Sequence, residues 1–453
     1  MDENNYDNNN DNDDNNNNTN NYQLNNNISK NSFSYAHLAD LHLGSWRDSS
    51  LRKLSTAAFD LAIHTCISKK YDFVLFAGDI FNTALPAIDI VNHIAKKLQE
   101  LKQAKIPLYV IPGSHDFSPT GRSMIDVLES AGLLINVCKG TVNPDTKQLE
   151  LKYTIDPKTG SKITGMLGRR GLLDRSYYEN LARTPLENET GYRIFMFHTT
   201  LTELKPKHLE MLDSHAASFL PKNQNYYPGG HIHHKSIIEL EGYGPMSYTG
   251  PLFPNNFSEL EKYSHGGFYQ ITVNRKDENQ FTQQIEWLPL KVKEHLAFQI
   301  NCTNKSKEQI HEEFNHLLSS KDSRENIVTL RLSGSIQNLQ LKDLEISKFT
   351  DLANQKEVYA LLLNTQKIQR DEFEGISLSM DSNPEETEIA LIKEHLTTTD
   401  KTKSEYEFQL TKSLLSTLNT TKKEGEKSYD FQSRIIESCK VLFSDNAPIK
   451  NIE

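Results

Sequence analysis

The sequence predicts an α/β fold in which helices cover a layer of buried, largely parallel strands. Two observations carry that prediction. Short apolar runs bounded by turn residues recur in the first half of the chain, and long segments of helical spacing separate the first three of them. The runs are "YAHLAD" (35–40), "DFVLFAG" (72–78), "IPLYVI" (106–111) and "RIFMFH" (193–198). Brief, unbroken apolar segments of this kind suit strands covered on both faces. The first intervening segment (51–70) gathers Leu51, Leu54, Ala58, Leu61, Ala62 and Ile63 on one side. The second (87–103) does the same with Ile88, Val91, Ile94, Leu98 and Leu101. Strands that alternate with helices indicate a layered α/β domain.

The remaining segments differ in texture. Residues 1–33 are dominated by Asn and Asp and hold almost nothing to bury, so they predict a disordered tail. Of the formal charge of −10, residues 1–30 carry −5, with six acids against Lys30, so the charge of the whole does not exclude a locally basic groove. The α/β domain is expected over 34–288. Over 289–350 a strand, a helix ("KEQIHEEFNHLLSS", 307–320) and a strand ("NIVTLRLSG", 326–334) predict a small α+β capping domain. The last part, 351–453, reads as linker and amphipathic helices. One begins at Asn383 as N-cap with Pro384 in the first helical position, and two more span 405–419 and 429–443 behind polar linkers. Their apolar stripes either build a core of their own or dock on a partner protein.

At 453 residues the chain can form two or three domains without staples. Its four cysteines form no CxxC pair, which argues against a disulfide framework and a thiolate zinc site and fits a reducing compartment. No stretch reaches the roughly 20 apolar residues of a membrane span, and no signal-peptide layout opens the chain. A cytoplasmic protein without a membrane partner is expected.

Residues that carry chemistry recur where the apolar runs end. The first run closes in Asp40-x-His42; on extended chain this spacing would turn a carboxylate and an imidazole the same way. The second closes in Gly78-Asp79, whose carboxylate has two oxygens and could bridge two ions. The third is followed by Gly113-Ser114-His115-Asp116, the fourth ends in His198, and "GGHIHH" supplies His231-x-His233. Each element alone is weak; the ordered set, each member at a predicted strand end, points to a metal centre at the sheet edge where α/β folds bind ligands. Six donors are too many for one small ion and suit two divalent cations. Carboxylates and imidazoles without thiolate favour Mn²⁺, Fe or Zn²⁺ over Ca²⁺. Such a pair clamps a phosphate and activates water for in-line attack on phosphorus.

The ordered motifs resemble those of the calcineurin-like metallophosphoesterase superfamily. Within it, "AHLADLHLG", "FAGDIFN", "GGHIHH", "YTGPLFPNNF" and "GGFYQI" are similar to the SbcD-like, meiotic-recombination-eleven type of DNA double-strand-break repair nuclease. The resemblance covers about residues 34–290 and implies a metallophosphoesterase sandwich with a cap. It implies that Asp40, His42 and His233 hold one ion and His198 and His231 the other, with Asp79 shared and the most fitting metal Mn²⁺. It further implies that His115 faces the scissile phosphate without binding metal, with Asp116 orienting it. Ser114 stands where the family has an Asn oxygen as a ligand, so the second ion is expected to be held less firmly. The resemblance also implies DNA ends as substrate, homodimerisation, and an SMC-like coiled-coil ATPase of the SbcC type as partner of the C-terminal helices.

Candidate DNA contacts are Arg169, Arg170 and Arg175 in "LGRRGLLDR", with Lys152 and Lys162 upstream; the same cluster can equally be a solvated surface. His215 and His234 read as bystanders, although His234 adjoins the ligand pair. Two rivals stand beside the nuclease reading: a phosphoesterase of the same superfamily acting on nucleotides or phosphoproteins, and a DNA-end-binding scaffold disabled by Ser114.

Overall fold

The computed structural model describes residues 31–117, 123–169, 174–335, 341–369, 401–418, 420–423, 426 and 428–444. The Asn/Asp-rich stretch through residue 30, Arg170 and the segment expected to start a helix at Asn383 lie outside these residues.

Two six-stranded mixed sheets form the body. In the first, β1 (Ser32–Leu38), β2 (Phe73–Ala77), β3 (Leu108–Ile111) and Ile135–Asn136 run parallel, and Gly266–Arg275 and Phe281–Leu290 add antiparallel on the far side. The second has a parallel centre of Lys162–Gly165, Arg193–His198, Tyr227–Gly230 and Met246–Tyr248, flanked antiparallel by Thr154–Ile155 and Ser236–Ile238. The alternation of side chains along β1 and β2 feeds two cores at once. Phe33, Tyr35, Phe73 and Leu75 meet Ile163, Ile194, Met196 and Tyr226 between the sheets. Ala36, Leu38, Val74 and Phe76 face the opposite way, toward α1 (Ser49–Ser68) and α2 (Ile88–Gln103). A third cluster, including Met166, Phe195, Phe197 and Tyr248, covers the outer face of the second sheet. The chain thus folds as an α/β sandwich of two mixed sheets, as expected.

Helix α1 starts where Asp48 accepts hydrogen bonds from the amides of Ser50 and Leu51, and its predicted apolar side is buried at Leu51, Leu54, Ala58, Ala62 and Ile63. In α2 the stripe seals at Ile94, Leu98 and Leu101, whereas Ile88 at the first position is 85% exposed.

The cap is a three-stranded parallel sheet of His295–Asn301, Ile327–Ser335 and Ala360–Gln369. Helices Lys307–Ser320 and Ile346–Gln355 pack on it through Ile310, Phe314 and Phe349. A capping box between Ser306 and Gln309 fixes where the first of these helices begins. The third strand lies beyond the 289–350 stretch assigned to the cap from sequence. Arg331 on the central strand forks onto Glu261, and Tyr359 O–H donates to the Ser50 carbonyl at 3.2 Å, so the cap is joined to the phosphoesterase body.

The described residues from 401 onward belong to a second compact unit. Its described helices, Lys401–Leu418 and Ser428–Ser444, pack on each other, yet Leu418, Ile436, Val441 and Phe443 remain exposed. None of the four cysteines is in a disulfide, and no helix of the described residues is long and apolar enough to cross a membrane.

Candidate metal centre

The expected ligands meet at the C-terminal ends of strands from both sheets. Asp40 and His42 follow β1, Asp79 follows β2, and Ser114 and His115 follow β3; His198 ends the Arg193–His198 strand, and His231 and His233 follow Tyr227–Gly230. Three groups have donor atoms within 4.8 Å of one another: Asp40, His42 and His233; Asp79, His198 and His231; and His42, Asp79 and His115. Asp79 lies between the imidazole sets, with Oδ2 3.5 Å from His42 Nε2 and 3.2 Å from His198 Nε2. The Nε2 atoms of His42 and His233 are 3.0 Å apart.

The reason the spacing works differs from the one expected. Asp40 and His42 lie past the end of β1, at φ +52° and +41°, and Asp79 and His231 sit at +52° and +92°. These are left-handed turns, a region where Asp and His are tolerated better than most side chains and which clusters at functional sites. The side chains converge because tight loops at several strand ends curl toward one another, not because alternate residues of an extended strand share a face. Gly78 is required for this: it takes φ +88°, and a Cβ there would stand 2.2 Å from His198 Nδ1. A Cβ on Gly113 would likewise fall 2.2 Å from Asp79 Oδ1.

Outer contacts orient the donors. His198 Nδ1 donates to the Ala77 carbonyl at 2.8 Å, which leaves Nε2 toward Asp79. His233 Nδ1 lies 3.0 Å from Glu259 Oε1, and His115 Nδ1 donates to the Asn82 carbonyl at 2.7 Å. The His231 amide donates to Asp40 Oδ1 and the His115 amide to Asp79 Oδ1. Glu259 and Asn82 were not singled out in the sequence. The Asp116 carboxylate accepts from the backbone amides of Gly113, Ile80 and Phe81 and thereby ties two ligand loops together. Ser114 is buried, and its hydroxyl donates to Asp79 Oδ2 over 3.4 Å.

The donor set fits divalent cations. Asp40 Oδ2 and His198 Nε2 are buried without a hydrogen-bond partner, a costly arrangement that a cation would relieve. Burial pushes the Asp40 carboxyl up to about 6 and His231 down to about 4, so His231 is a neutral donor. Burial, reinforced by the neighbouring imidazoles, holds His42 well below the ordinary imidazole value. For Asp79 burial is overcome by the His198 and His42 rings, which hold it well below the carboxylate range; Asp79 in turn raises His198, against burial, to about 10.

The described basic candidates other than Lys152 have local partners of their own. Lys162 pairs with Glu189 and Arg175 with Glu179, while the Arg169 guanidinium lies 4.2 Å from the centre of the Phe117 ring. Lys152 is exposed. His215 is buried 3.7 Å from Asp174, and His234 Nδ1 lies 3.1 Å from the Tyr263 hydroxyl.

Fold and site together make an α/β sandwich with His and Asp donors clustered where its strands end. The calcineurin-like phosphoesterase family profile matches residues 33–235. The chain is distantly related to Mre11-type proteins. It is 28% identical over 239 residues to the DNA double-strand break repair protein Mre11 of Archaeoglobus fulgidus, covering 50% of this chain and 52% of that one. It is 25% identical over 249 residues to the protein of the same name from Methanococcus maripaludis, covering 51% and 60%. An uncharacterized metallophosphoesterase of Bacillus subtilis, YhaO, is 23% identical over 257 residues, covering 54% and 58%. The chain thus spans between half and two thirds of the length of these relatives.

Proposed function

We propose that the chain is a metal-dependent phosphodiesterase that cleaves DNA in double-strand-break processing, with two divalent cations, of which Mn²⁺ suits the donors best. One observation carries this reading: the Asp79 carboxylate lies within reach of imidazoles from both sides of the cluster, so one residue can serve two ions. Asp40, His42 and His233 would hold the first ion, and His198 and His231 the second. Bound there, the cations would draw charge from phosphoryl oxygens and make an attacking water more acidic.

The chain's own groups do the rest. By the family resemblance His115, its ring fixed by the Nδ1 donation to the Asn82 carbonyl, would face the scissile phosphate and, when the ring carries a second proton, pass it to the departing oxygen. Ile232, between His231 and His233, and Leu252, whose amide donates to the Asp40 carbonyl at 3.3 Å, are buried. The choice of DNA follows from the names of the Mre11 relatives. The family resemblance adds DNA ends as substrate, a homodimer, a cytoplasmic and DNA-associated setting, and an SbcC-type ATPase as partner. The exposed apolar side chains of the two C-terminal helices suit docking of that ATPase.

The test is bound-metal content together with hydrolysis of linear duplex DNA and of cyclic nucleotides at fixed Mn²⁺. Asp79→Ala should lose bound metal and cleavage together. His115→Ala should keep the metal and cleave DNA on the order of 100-fold more slowly. Preference for cyclic nucleotides would favour the rival phosphoesterase, and variants as active as wild type would place the activity elsewhere.

A further inference from the structure

Beside the metal centre lies a cavity of about 230 Å³ that the proposed chemistry leaves unused. His233, expected to hold the first ion, forms one wall; Trp287, Tyr263 and His265 supply aromatic surface, and Lys235 and Lys262 supply positive charge. The aromatic groups are held in place. Trp287 Nε1 donates to the Thr249 carbonyl at 3.0 Å, the His265 ring lies 6.2 Å from the indole at 34°, and the Tyr263 hydroxyl is 3.1 Å from His234 Nδ1. The lysines lie over the rings, with Nζ of Lys235 4.3 Å from the Trp287 centroid and Nζ of Lys262 4.9 Å from that of Tyr263.

We propose that this cavity is a nucleobase subsite, taking the base of the nucleotide whose phosphate sits at the metal centre. The inference rests on the phosphodiesterase reading above. Flat aromatic surface suits the face of a base, and stacking is indifferent to base identity because every base has a π-face. Ammonium groups above the rings suit the adjoining phosphate and sugar and oppose a purely apolar or cationic occupant. A free phosphate would use the lysines and leave the rings idle. The shared wall at His233 links base and reacting phosphorus, so the cavity would select a nucleotide over a phosphorylated side chain.

The experiment uses the full chain carrying Trp46→Phe, since the sequence has two tryptophans and Trp287 then reports alone. At fixed Mn²⁺, dAMP and 2-deoxyribose 5-phosphate are titrated with tryptophan emission and calorimetry as readouts. dAMP should quench Trp287 and bind more tightly than the sugar phosphate. Trp287→Leu should weaken dAMP on the order of tenfold while leaving the sugar phosphate unchanged, whereas Lys235→Gln should weaken both ligands; should Trp287→Leu misfold, Tyr263→Leu carries the test. Equal affinity for the two ligands without quenching overturns the subsite. Cleavage of duplex DNA alongside equal affinity leaves the nuclease standing and removes the subsite. Quenching by dAMP without DNA cleavage does the reverse.

Discussion

Glu259 shows how one side chain serves both fold and centre. It is the third residue of the Phe257–Tyr263 helix, where its amide donates to the Asn256 cap, while its carboxylate accepts from the Asn255 amide and holds His233 Nδ1. A carboxylate on the far nitrogen of an imidazole ligand fixes the ring and raises its basicity. Glu259→Gln keeps the shape and removes the charge. It should weaken Mn²⁺ binding roughly 10- to 100-fold, read by calorimetry, with the circular dichroism spectrum unchanged. Unchanged affinity would confine Glu259 to the helix start. Asp40, His42, Asp79 and His198 were legible as candidates because they stand where apolar runs end, and His231 and His233 through their spacing in "GGHIHH". Glu259 was not, since Asn256-x-x-Glu259 reads as an ordinary helix start and its contact with His233 spans 26 residues. Asn82 was hidden for another reason: it acts through its carbonyl, which every residue has.

At the scale of elements, the loops after β2 and β3 depend on Asp116. Three buried amides, those of Gly113, Ile80 and Phe81, donate to its carboxylate. Asp116→Ala leaves all three without an acceptor, and each buried orphan costs about 1–3 kcal/mol. The variant should lose roughly 3 kcal/mol or more in urea unfolding and bind metal poorly, because Asp79 and Ser114 stand on the loops it ties. Asp116→Asn, which keeps one oxygen, should lose less than half of that. Equal losses would show that the carboxylate charge, not the acceptor geometry, holds the loops. The order of the elements was legible from apolar period, and the candidate donors do gather where strands end. Their backbone was not: positive φ at Asp40, His42, Asp79 and His231 has no sequence sign when the residue is not glycine. Ser114 was visible as an unusual residue in its motif, but its contact with Asp79 needed the fold.

The whole molecule is a sandwich, and only half of it could be read. The helix-covered sheet announces itself through long amphipathic segments. Much of the second sheet consists of strands of two to four residues, too short for a period to register, and the cap's third strand lies 24 residues past the second. What holds the two sheets together includes one polar group, His37 of β1, buried in the interface with Nδ1 2.9 Å from the Tyr226 hydroxyl. Burial pushes this imidazole down from 6.5 to about 3, so it is neutral in the folded chain. The unfolded chain takes up a proton at His37 below pH 6.5 that the folded chain refuses until about pH 3. The group's contribution is therefore complete above pH 6.5 and is lost as pH falls toward 3, by at most about 1.4 kcal/mol per pH unit. His37→Gln removes the titration, so the comparison of wild type and variant isolates it from the other histidines. In urea unfolding the variant should be less stable at pH 7.5, with the deficit shrinking by about 1 kcal/mol or more at pH 5. A deficit that stays constant across that range would mean that His37 is protonated within the folded sandwich, and that the interface between the sheets admits water or a counter-charge.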